Sequence, residues 1–290
     1  MISAFIFHIL IIICIYFILA MSLQLALGYG GLLNLGHVAF YSIGAYVSTI
    51  LTLKGLPFLP SFFLGGITAM ISGLLLSLPT NKLKGDYLAL VTLGFTFVVN
   101  AIALNWVSVT RGSLGLFGIP KPIIFGFEFN DNIFFFGLVV FVTLVSFFVI
   151  RRIIHSDFGK VVQAVRDNEL AAMVLGKNSF KVKNVNMMAS AFFAGLAGSL
   201  YAHYITYIDP GSFSTAQLIP ILCIVIIGGL ASLRGTFLAT IALILLPELL
   251  RFVDLPSFLI GPVRQSLYAF GLLFILMYKP RGLFGKVDLD

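Results

Sequence analysis

The sequence predicts an all-α fold, a polytopic transmembrane bundle of about eight to ten spans. Its composition gives the first reason: 60% of the 290 residues are hydrophobic, 10% are charged, and the mean hydropathy is +1.08. Soluble domains carry about 25% charged residues. A single globular core cannot cover so much apolar surface, so lipid must be the solvent for most of it. The second reason is that glycine-rich breaks interrupt the apolar runs, which is typical of broken helices that line a membrane passage.

Apolar runs long enough to cross a bilayer, about 20 residues each, recur along the whole chain. They predict helices at 3–27, 36–53, 58–79, 87–106, 133–150, 184–206, 214–232, 236–253 and 259–278. The first run has no Lys or Arg before it, unlike a cleavable signal peptide. We expect a single transmembrane domain over residues 1–290, with a cytoplasmic segment at about 155–178 and an outward loop at about 107–132.

The basic residues predict the orientation of the spans. If the spans alternate, most of the 18 Lys and Arg residues fall on one side, in the connections near 82, 151–183 and 234 and in the tail. The positive-inside rule assigns that side to the cytoplasm, with the C-terminus inside and the N-terminus outside. A break within the bilayer near residues 28–36 would change the first two spans. Because the basic residues only punctuate apolar runs, the net charge of +7 does not indicate nucleic-acid binding.

The stretch from Gly28 to Leu53 combines a glycine-rich break with an apolar run. Irregular backbone at membrane depth is tolerated only where protein or a water-filled cavity covers it. Polar side chains inside spans are costly and usually face a cavity or another helix. We therefore predict a substrate pathway lined by residues of this break: Gly30, Gly31, Asn34, Gly36 and His37. For His37, a structural role at a helix end is an equally good interpretation.

A second segment has a similar sequence. The motif GGLASL at 228–233 resembles GGLLNL at 30–35, and each motif follows one apolar run and opens another. Corresponding interruptions in two halves favour a protein built from an internal repeat. A chance similarity between two short motifs is the alternative.

Several other residues are given structural interpretations. Small residues recur every four positions from 190 to 202 and from 44 to 52, which indicates close helix packing. Cys14 and Cys223 lie inside apolar runs and are interpreted as packing residues. No metal site is predicted, because His8 and His203 lack partners at ligand spacing. The remaining polar candidates in spans are Gln24, Asn100, Asn105, Gln217 and Gln265; Glu248 is expected to pair with Arg251, and Arg264 to anchor the last span at the interface.

The long basic connection near 151–184 is predicted to form two short helices. Apolar positions between Asp157 and Leu175 recur at near-helical spacing. Asn168 is placed to cap the second helix, and Gly176 to end it. The pair is either a solvated connector or a docking element for another subunit. The residues expected to serve in docking are Arg166, Asp167, Glu169, Ala171, Ala172 and Gly176.

This segment resembles the coupling segment of ABC importer permeases, whose signature is Glu-Ala-Ala, three residues and then Gly. Ala171-Ala172 and Gly176 keep that spacing, whereas Leu170 occupies the Glu position and Glu169 comes one residue earlier. The shifted register resembles the branched-chain amino acid permease family. So do the motifs GYGGLLNLGHVAFYSIGAY (28–46), AFFAGLAGSLYAHY (191–204), IIGGLASLRGTFLA (226–239), LPELLR (246–251) and KPRGLFG (279–285).

The outward loop TRGSLGLFGIPKPIIFGFEF (110–129) resembles that of the M-type partner in the two-permease branched-chain system. That loop usually has Gly at the position of Arg111 and a polar residue at the position of Leu114. Related permeases for urea and short amides share the same frame, so such substrates are an alternative.

The resemblance implies a multi-pass permease subunit of the bacterial inner membrane that imports Leu, Ile and Val. It implies ABC ATPase subunits, a second homologous permease and an extracytoplasmic solute-binding protein as partners, with lipid around the spans. The sequence has no G-x-x-x-x-G-K-[ST] phosphate loop, so ATP would be used by partner subunits and the chain would carry no cofactor. No intramembrane cluster of His and carboxylates predicts an enzyme.

Two other function classes remain open at this stage. An ion-coupled secondary transporter would need a buried Asp or Glu to carry the coupling charge, and only Glu248 comes close. A membrane scaffold without transport would have no use for the broken helices.

Overall fold

Helices form nearly all of the regular structure, which confirms the all-α prediction. The structure, a computed structural model, describes residues 2–83, 85–124, 126–129, 131–249, 257–279 and 282–285. In chain order the helices are α1 (Ile2–Gln24), α2 (His37–Leu53), α3 (Phe58–Thr80), α4 (Gly85–Asn105), α5 (Val107–Thr110), α6 (Asn132–His155), α7 (Asp157–Asp167), α8 (Glu169–Val174), α9 (Ser179–Ile205), α10 (Leu218–Gly228), α11 (Leu233–Leu249) and α12 (Ser257–Tyr278). A π-helical turn, Leu25–Tyr29, continues α1.

Each apolar run predicted to cross the membrane contains a helix. Within the described part of the chain, five helical stretches are long and apolar enough to span a bilayer: Phe5–Tyr29, Phe58–Thr80, Gly85–Asn105, Asn132–His155 and Ser179–Ile205. α10 departs most from its prediction, because the expected span 214–232 contains a helix of 11 residues. At 1.5 Å per residue such a helix is only about 16 Å long. The helix ends at Gly228, because the next residue, Gly229, has a φ of 96°, a conformation that glycine adopts readily and that does not continue a helix.

Contacts between helix ends define two sides of the bundle. Asn81, after α3, donates a hydrogen bond to Asn184 near the start of α9. Arg166 of α7 donates to the carbonyl of Gly28 at 2.8 Å. These ends therefore share a side with α7 and α8, which we call the basic side. Its described Lys and Arg residues are those predicted to face the cytoplasm: Lys82, Arg151, Arg152, Lys160, Arg166, Lys177, Lys181, Lys183, Arg234 and Lys279.

The first break begins on the basic side and turns back into the bundle. α1 and α9 run antiparallel: Ser190 donates to the carbonyl of Ser22 (2.7 Å), and Asn186 donates to that of Leu25 (3.0 Å). The chain then reverses, and the His37 ring lies 2.8 Å from the Ser22 hydroxyl. The first helical stretch therefore extends to residue 29, beyond its predicted end, and α2 begins at residue 37.

The core of the bundle is the contact of α9 with α2 and α3. A Cβ on Gly44 would lie 2.1 Å from the carbonyl oxygen of Gly195, and one on Gly198 would lie 2.0 Å from that of Tyr41. Such approach of backbones is possible only between small residues. The predicted stripe is buried throughout: Ser190, Ala191, Ala194, Gly195, Gly198, Ser199 and Ala202. The packing interpretation of these residues is confirmed.

Large apolar side chains cover the outward faces of several helices. Leu75, Leu90, Phe141 and Phe270 are 63%, 65%, 65% and 69% exposed. Contiguous apolar surface on this scale is rare on soluble monomers. Together with the spanning helices, it makes the chain a multi-pass membrane protein.

Short strands order the loops on the side opposite the basic side. β1 (Leu116–Phe117) pairs antiparallel with β4 (Tyr207–Ile208), and β2 (Ile123–Ile124) pairs antiparallel with β3 (Phe127–Glu128). The β1–β4 pair ties the predicted outward loop to the segment that follows α9.

The segment after α12 packs against the end of α10. The backbone amide of Leu283 donates to the carbonyl of Ile227 (2.9 Å), and that of Phe284 donates to Gly228 (3.2 Å). Carbonyls in the last turn of a helix have no partner within the helix. This segment therefore completes the hydrogen bonding of a helix that ends inside the bundle.

Candidate functional site

The first break, residues 25–36, is held in place by side chains of neighbouring helices. Arg166 of α7 donates to the carbonyl of Gly28. Thr92 of α4 accepts a hydrogen bond from the amide of Leu35 at 3.0 Å. Backbone groups that leave the helical pattern at this depth are thus paired with protein, as irregular structure in a membrane requires.

The second break, residues 229–232, shares one backbone feature with the first. Gly31 and Gly229 are the second glycines of the two GGL motifs, and both have positive φ, 65° and 96°. Side chains with a Cβ rarely adopt this region, whereas glycine enters it at no steric cost. The two motifs share this feature, but Ala231 also has a positive φ (58°) and its counterpart Leu33 does not, so the two turns differ.

A polar side chain precedes the next helix in both breaks. Asn34 accepts a hydrogen bond from the amide of Gly36 at 2.9 Å. Ser232, at the equivalent place, accepts from the amide of Gly235 at 3.2 Å. Ser232 thus caps α11, which is the usual role of Ser at a helix start, whereas Asn34 bonds the residue that precedes α2. The two breaks share a polar residue at this position, with different hydrogen bonds.

The side chain of Gln24 joins the two breaks. Its amide nitrogen donates to the carbonyl of Gly229 (2.8 Å) and to the hydroxyl of Thr236 (3.0 Å). Its oxygen accepts from the amide of Ala231 (3.3 Å). Gln24 is fully buried, so these bonds form away from solvent. Segments about 200 residues apart in sequence therefore meet at one side chain.

Replacing Gln24 with leucine is expected to lower stability by about 1–3 kcal/mol, because buried donors and acceptors of the second break lose their partner. Thermal unfolding of the purified protein measures this change. Gln163→Leu is the matched control, since Gln163 lies on α7 and its nearest bond is to Gly159 of the same helix (3.1 Å). Equal unfolding temperatures for both variants would contradict the role of Gln24.

The predicted pathway residues of the first break lie close to neighbouring side chains and backbone, and Gly31 is also exposed. A Cβ on Gly30 would lie 2.2 Å from the side-chain nitrogen of Asn186, and one on Gly31 would lie 2.6 Å from Cγ of Arg166. Gly36 approaches the backbone of Thr92 in the same way. Asn34 is fully buried, and its role and that of the glycines in transport stay predictions.

His37 is fully buried at the start of α2. Its Nε2 lies 2.8 Å from the Ser22 hydroxyl and 3.2 Å from the carbonyl of Leu19. Its Nδ1 has no hydrogen-bond partner among the described residues. The hydroxyl of Tyr41, one turn further along α2, is likewise buried without a partner in that part of the chain. Buried polar groups normally have hydrogen-bond partners. The His37 ring and the Tyr41 hydroxyl on this face of α2 can therefore each form a further hydrogen bond.

A polar cavity of about 410 Å³ lies on the side opposite the basic side, between α1, α9, α10, α11 and α12. Its polar lining is His8, Tyr16, Tyr201, Gln217, Glu248 and Gln265. The Tyr16 hydroxyl donates to Gln217 at 2.8 Å. The Tyr201 ring packs on that of Tyr41, with centroids 5.6 Å apart. The Tyr201 ring therefore stands between the cavity and Tyr41 of α2. Arg251, the expected partner of Glu248, lies outside the described residues.

The predicted short helix pair is confirmed as α7 and α8. Asn168 caps α8 by accepting from the amide of Ala171 at 3.0 Å, and Gly176 follows α8 with a φ of 74°. The ammonium of Lys183 in α9 lies 2.6 Å from the Glu169 carboxylate, and both side chains are largely buried. This ion pair fixes α8 to the bundle.

The outer face of α8 is apolar. Leu170, Val174 and Leu175 are 70%, 87% and 78% exposed. The flank of α7 carries charges instead. A hydrogen bond from Lys160, 2.9 Å away, and the charge of that ammonium lower the pKa of the Asp157 carboxyl. The pair thus presents a small apolar tip beside a charged flank.

The outward loop accommodates the residue that departs from the family pattern. Arg111 has a φ of 60°, a conformation that favours glycine. Its guanidinium lies 4.5 Å from the centroid of the Phe117 ring, so a cation–π contact offsets part of this strain. Leu114 is exposed.

The other polar candidates have structural partners. His8 contacts the Tyr204 hydroxyl (2.7 Å), and Asn100 donates to the carbonyl of Pro210 (2.8 Å). Asn105 bonds within its own helix. Asn186 was missed by sequence reasoning, although the same rule of polar residues within spans identifies it. The contact of Thr236 with Gln24 could not be predicted from the sequence, since threonine in a helix commonly bonds its own helix.

Helix breaks that meet inside a multi-pass bundle are typical of membrane transport proteins. The family described as "Branched-chain amino acid transport system / permease component" matches residues 5–278. The chain belongs to this family.

Named relatives cover almost the whole chain. It is 35% identical to the high-affinity branched-chain amino acid transport system permease protein LivM of Escherichia coli, over 93% of this chain and 67% of the relative. The same values hold for LivM of Salmonella typhimurium. A probable branched-chain amino acid transport permease protein LivM of Methanocaldococcus jannaschii is 26% identical, over 93% of this chain and 90% of the relative. No solved structure matches the chain at a significant level.

Proposed function

We propose that this chain is a permease subunit of an ABC importer that carries leucine, isoleucine and valine across a bacterial inner membrane. The observation that carries the proposal is the family match over residues 5–278, together with relatives named for this transport. The few fixed charges in the spans suit solutes with apolar side chains.

The pathway is proposed to run from the polar cavity to the first break. A volume of about 410 Å³ falls within the usual range for small-molecule sites, roughly 300–1,000 Å³. The carboxylate of Glu248 in its wall can attract an α-ammonium group, while Ile9, Ile12 and Ile244 offer apolar surface. From there the solute passes the Tyr41 hydroxyl and the His37 ring, which can each form a further hydrogen bond. The predicted residues Gly30, Gly31, Asn34 and Gly36 form its inner end.

The driving force is proposed to come from separate ABC ATPase subunits that bind and hydrolyse ATP. The exposed apolar tip of α8 and the charged flank of α7 fit a docking element for them. Arg166 connects α7 directly to the first break, so movement of the helix pair reaches the pathway through one side chain. A second homologous permease and an extracytoplasmic solute-binding protein complete the proposed importer.

Deleting this chain is expected to abolish high-affinity uptake of labelled leucine, and the wild-type chain is expected to restore it. Labelled urea is measured in parallel, because the related amide permeases share the sequence frame. Uptake is also compared in cells whose matching ATPase subunit is inactivated. Loss of leucine uptake in both cases supports the proposal.

The rival functions give different outcomes. Loss of urea uptake alone would keep the permease architecture and replace the substrate. Leucine uptake that survives without the ATPase but stops with Glu248→Gln would favour an ion-coupled transporter. The third outcome concerns a variant in which leucine replaces Gly30 and Gly31. If that variant folds and uptake is unchanged, a scaffold is favoured.

A further inference from the structure

A basic cavity lies on the basic side between α6, α7 and the second break. It has a volume of about 700 Å³. Five side chains that carry or can carry positive charge line it: Arg151, His155, Lys160, Arg166 and Arg234. They come from distant parts of the chain, so the fold assembles the cavity. In the proposed transport, Arg166 contacts the first break and Lys160 belongs to the flank of α7, whereas Arg151, His155 and Arg234 have no role.

The charges of this cavity are only partly balanced. Asp157 pairs with Lys160 (2.9 Å), and Asp167 pairs with Arg166 (2.7 Å). Arg151 and Arg234 have no ion-pair partner among the described residues, and no Asp or Glu is found among the described residues of the lining. Cations gathered without counter-charges attract an anion. The remaining lining groups include Gln163 and Ser232, which can also bond phosphate oxygens.

An apolar groove of about 470 Å³ adjoins the basic cavity. It lies between α1, α6 and α11, and shares Phe147, Leu233 and Arg234 with the cavity. Its other lining residues are Ile13, Cys14, Phe17, Val140, Thr143, Leu144, Phe237 and Leu238. The Thr143 hydroxyl donates to its own helix at Val139 (2.8 Å), so it adds no free donor. The groove therefore fits hydrocarbon, and Arg234 stands at the junction of hydrocarbon and charge.

We propose that the basic cavity and the apolar groove together bind one anionic phospholipid of the adjoining leaflet. The phosphate lies among Arg151, Arg234 and the neighbouring cations, and an acyl chain lies along Phe17 and Phe237. Basic sites between membrane helices on the cytoplasmic side commonly hold anionic headgroups. A free anion would need only the cavity; the continuous apolar groove favours a lipid. Arg166 contacts the first break, and Arg234 follows the second. A lipid bound between these side chains therefore links α6, α7 and the second break at the surface of the bundle.

The test is electron paramagnetic resonance of chain-labelled lipids with the full chain in nanodiscs. Phosphatidylglycerol is compared with phosphatidylcholine for the wild type and the double variant Arg151→Gln/Arg234→Gln. The matched control is Lys54→Gln/Lys82→Gln, which removes two charges elsewhere. We expect the wild type to immobilise phosphatidylglycerol selectively. The double variant should lose at least about tenfold in affinity, and the control less than about twofold.

Further experiments distinguish a bound lipid from other anions. Inorganic phosphate at millimolar concentration is expected to leave the labelled lipid bound, and displacement by phosphate would overturn the lipid assignment. Leu238→Trp, which fills the groove, is expected to weaken the lipid signal without altering the unfolding temperature. Equal immobilisation of both lipids by the wild type would overturn the proposal. So would loss of the lipid when the ATPase subunits bind, because the cations would then face protein.

Discussion

Replacing Gly44 with leucine is expected to abolish the folded protein. The Cβ would lie 2.1 Å from the carbonyl oxygen and 2.3 Å from the Cα of Gly195, so backbone, not a movable side chain, is in the way. Overpacking a core costs about 1–3 kcal/mol, occasionally more, when side chains can adjust. Here α2 and α9 must separate, and contacts along their whole length weaken. The expected result is the loss of monodisperse protein after extraction from membranes.

Gly94→Leu is the matched control for this prediction. Gly94 lies in α4, and a Cβ there meets no atom within 4 Å. Both changes gain similar helix propensity, about 1 kcal/mol for removing a helical glycine, so the comparison isolates packing. Gly44→Ala adds the same Cβ, so it should already push α2 and α9 apart and lower the unfolding temperature strongly, although less than leucine, which adds three further carbons. Wild-type stability of Gly44→Leu would contradict the close α2–α9 contact.

Replacing Arg166 with alanine is expected to reduce leucine uptake about tenfold or more while leaving the bundle folded. Its guanidinium donates to Gly28 at 2.8 Å, and its stem packs over Gly31. Hydrogen bonds from charged groups contribute about 1.5–3 kcal/mol, and 1.4 kcal/mol is a factor of ten. The loss separates the helix pair from the first break. ATPase activity of the partner subunits should then respond less to delivered solute.

Gln163→Ala is the control for Arg166, because Gln163 lies on the same helix and its side chain donates to Gly159 of that helix (3.1 Å). Its uptake should remain within about twofold of wild type, since this bond lies within α7 and does not reach the first break. Arg166→Lys retains the charge and should recover part of the uptake. Normal uptake by Arg166→Ala would refute the connection between α7 and the pathway.

The helices and their limits were largely predictable from local sequence. Apolar length fixes α3, α4, α6 and α9, and Asn168 and Gly176 mark the ends of α8. The span that contains α10 was predicted too long, because hydropathy continues across Gly229; the GGL motif was visible in the sequence, but not that the helix ends there. Hydropathy measures how apolar a segment is, not how it is hydrogen-bonded.

The contacts that build the candidate site were beyond a single sequence. A buried Gln24 in an apolar run signals a polar partner, but nothing local identifies Gly229 or Thr236 as that partner. The bond from Arg166 to Gly28 likewise depends on how α7 folds back under the bundle. The similarity of the two GGL motifs was visible in sequence; their meeting at one side chain follows from the fold.

The hydrogen bonds of Leu283 and Phe284 to the end of α10 bear on how the protein is made. A ribosome delivers α10 and its carbonyls some 55 residues before the amides that pair with them, and carbonyls without partners are costly in lipid. The second break therefore cannot reach its final form until residues 283 and 284 have been synthesised. Insertion of α10 and α11 should be provisional until then, and pairing with these two amides completes it.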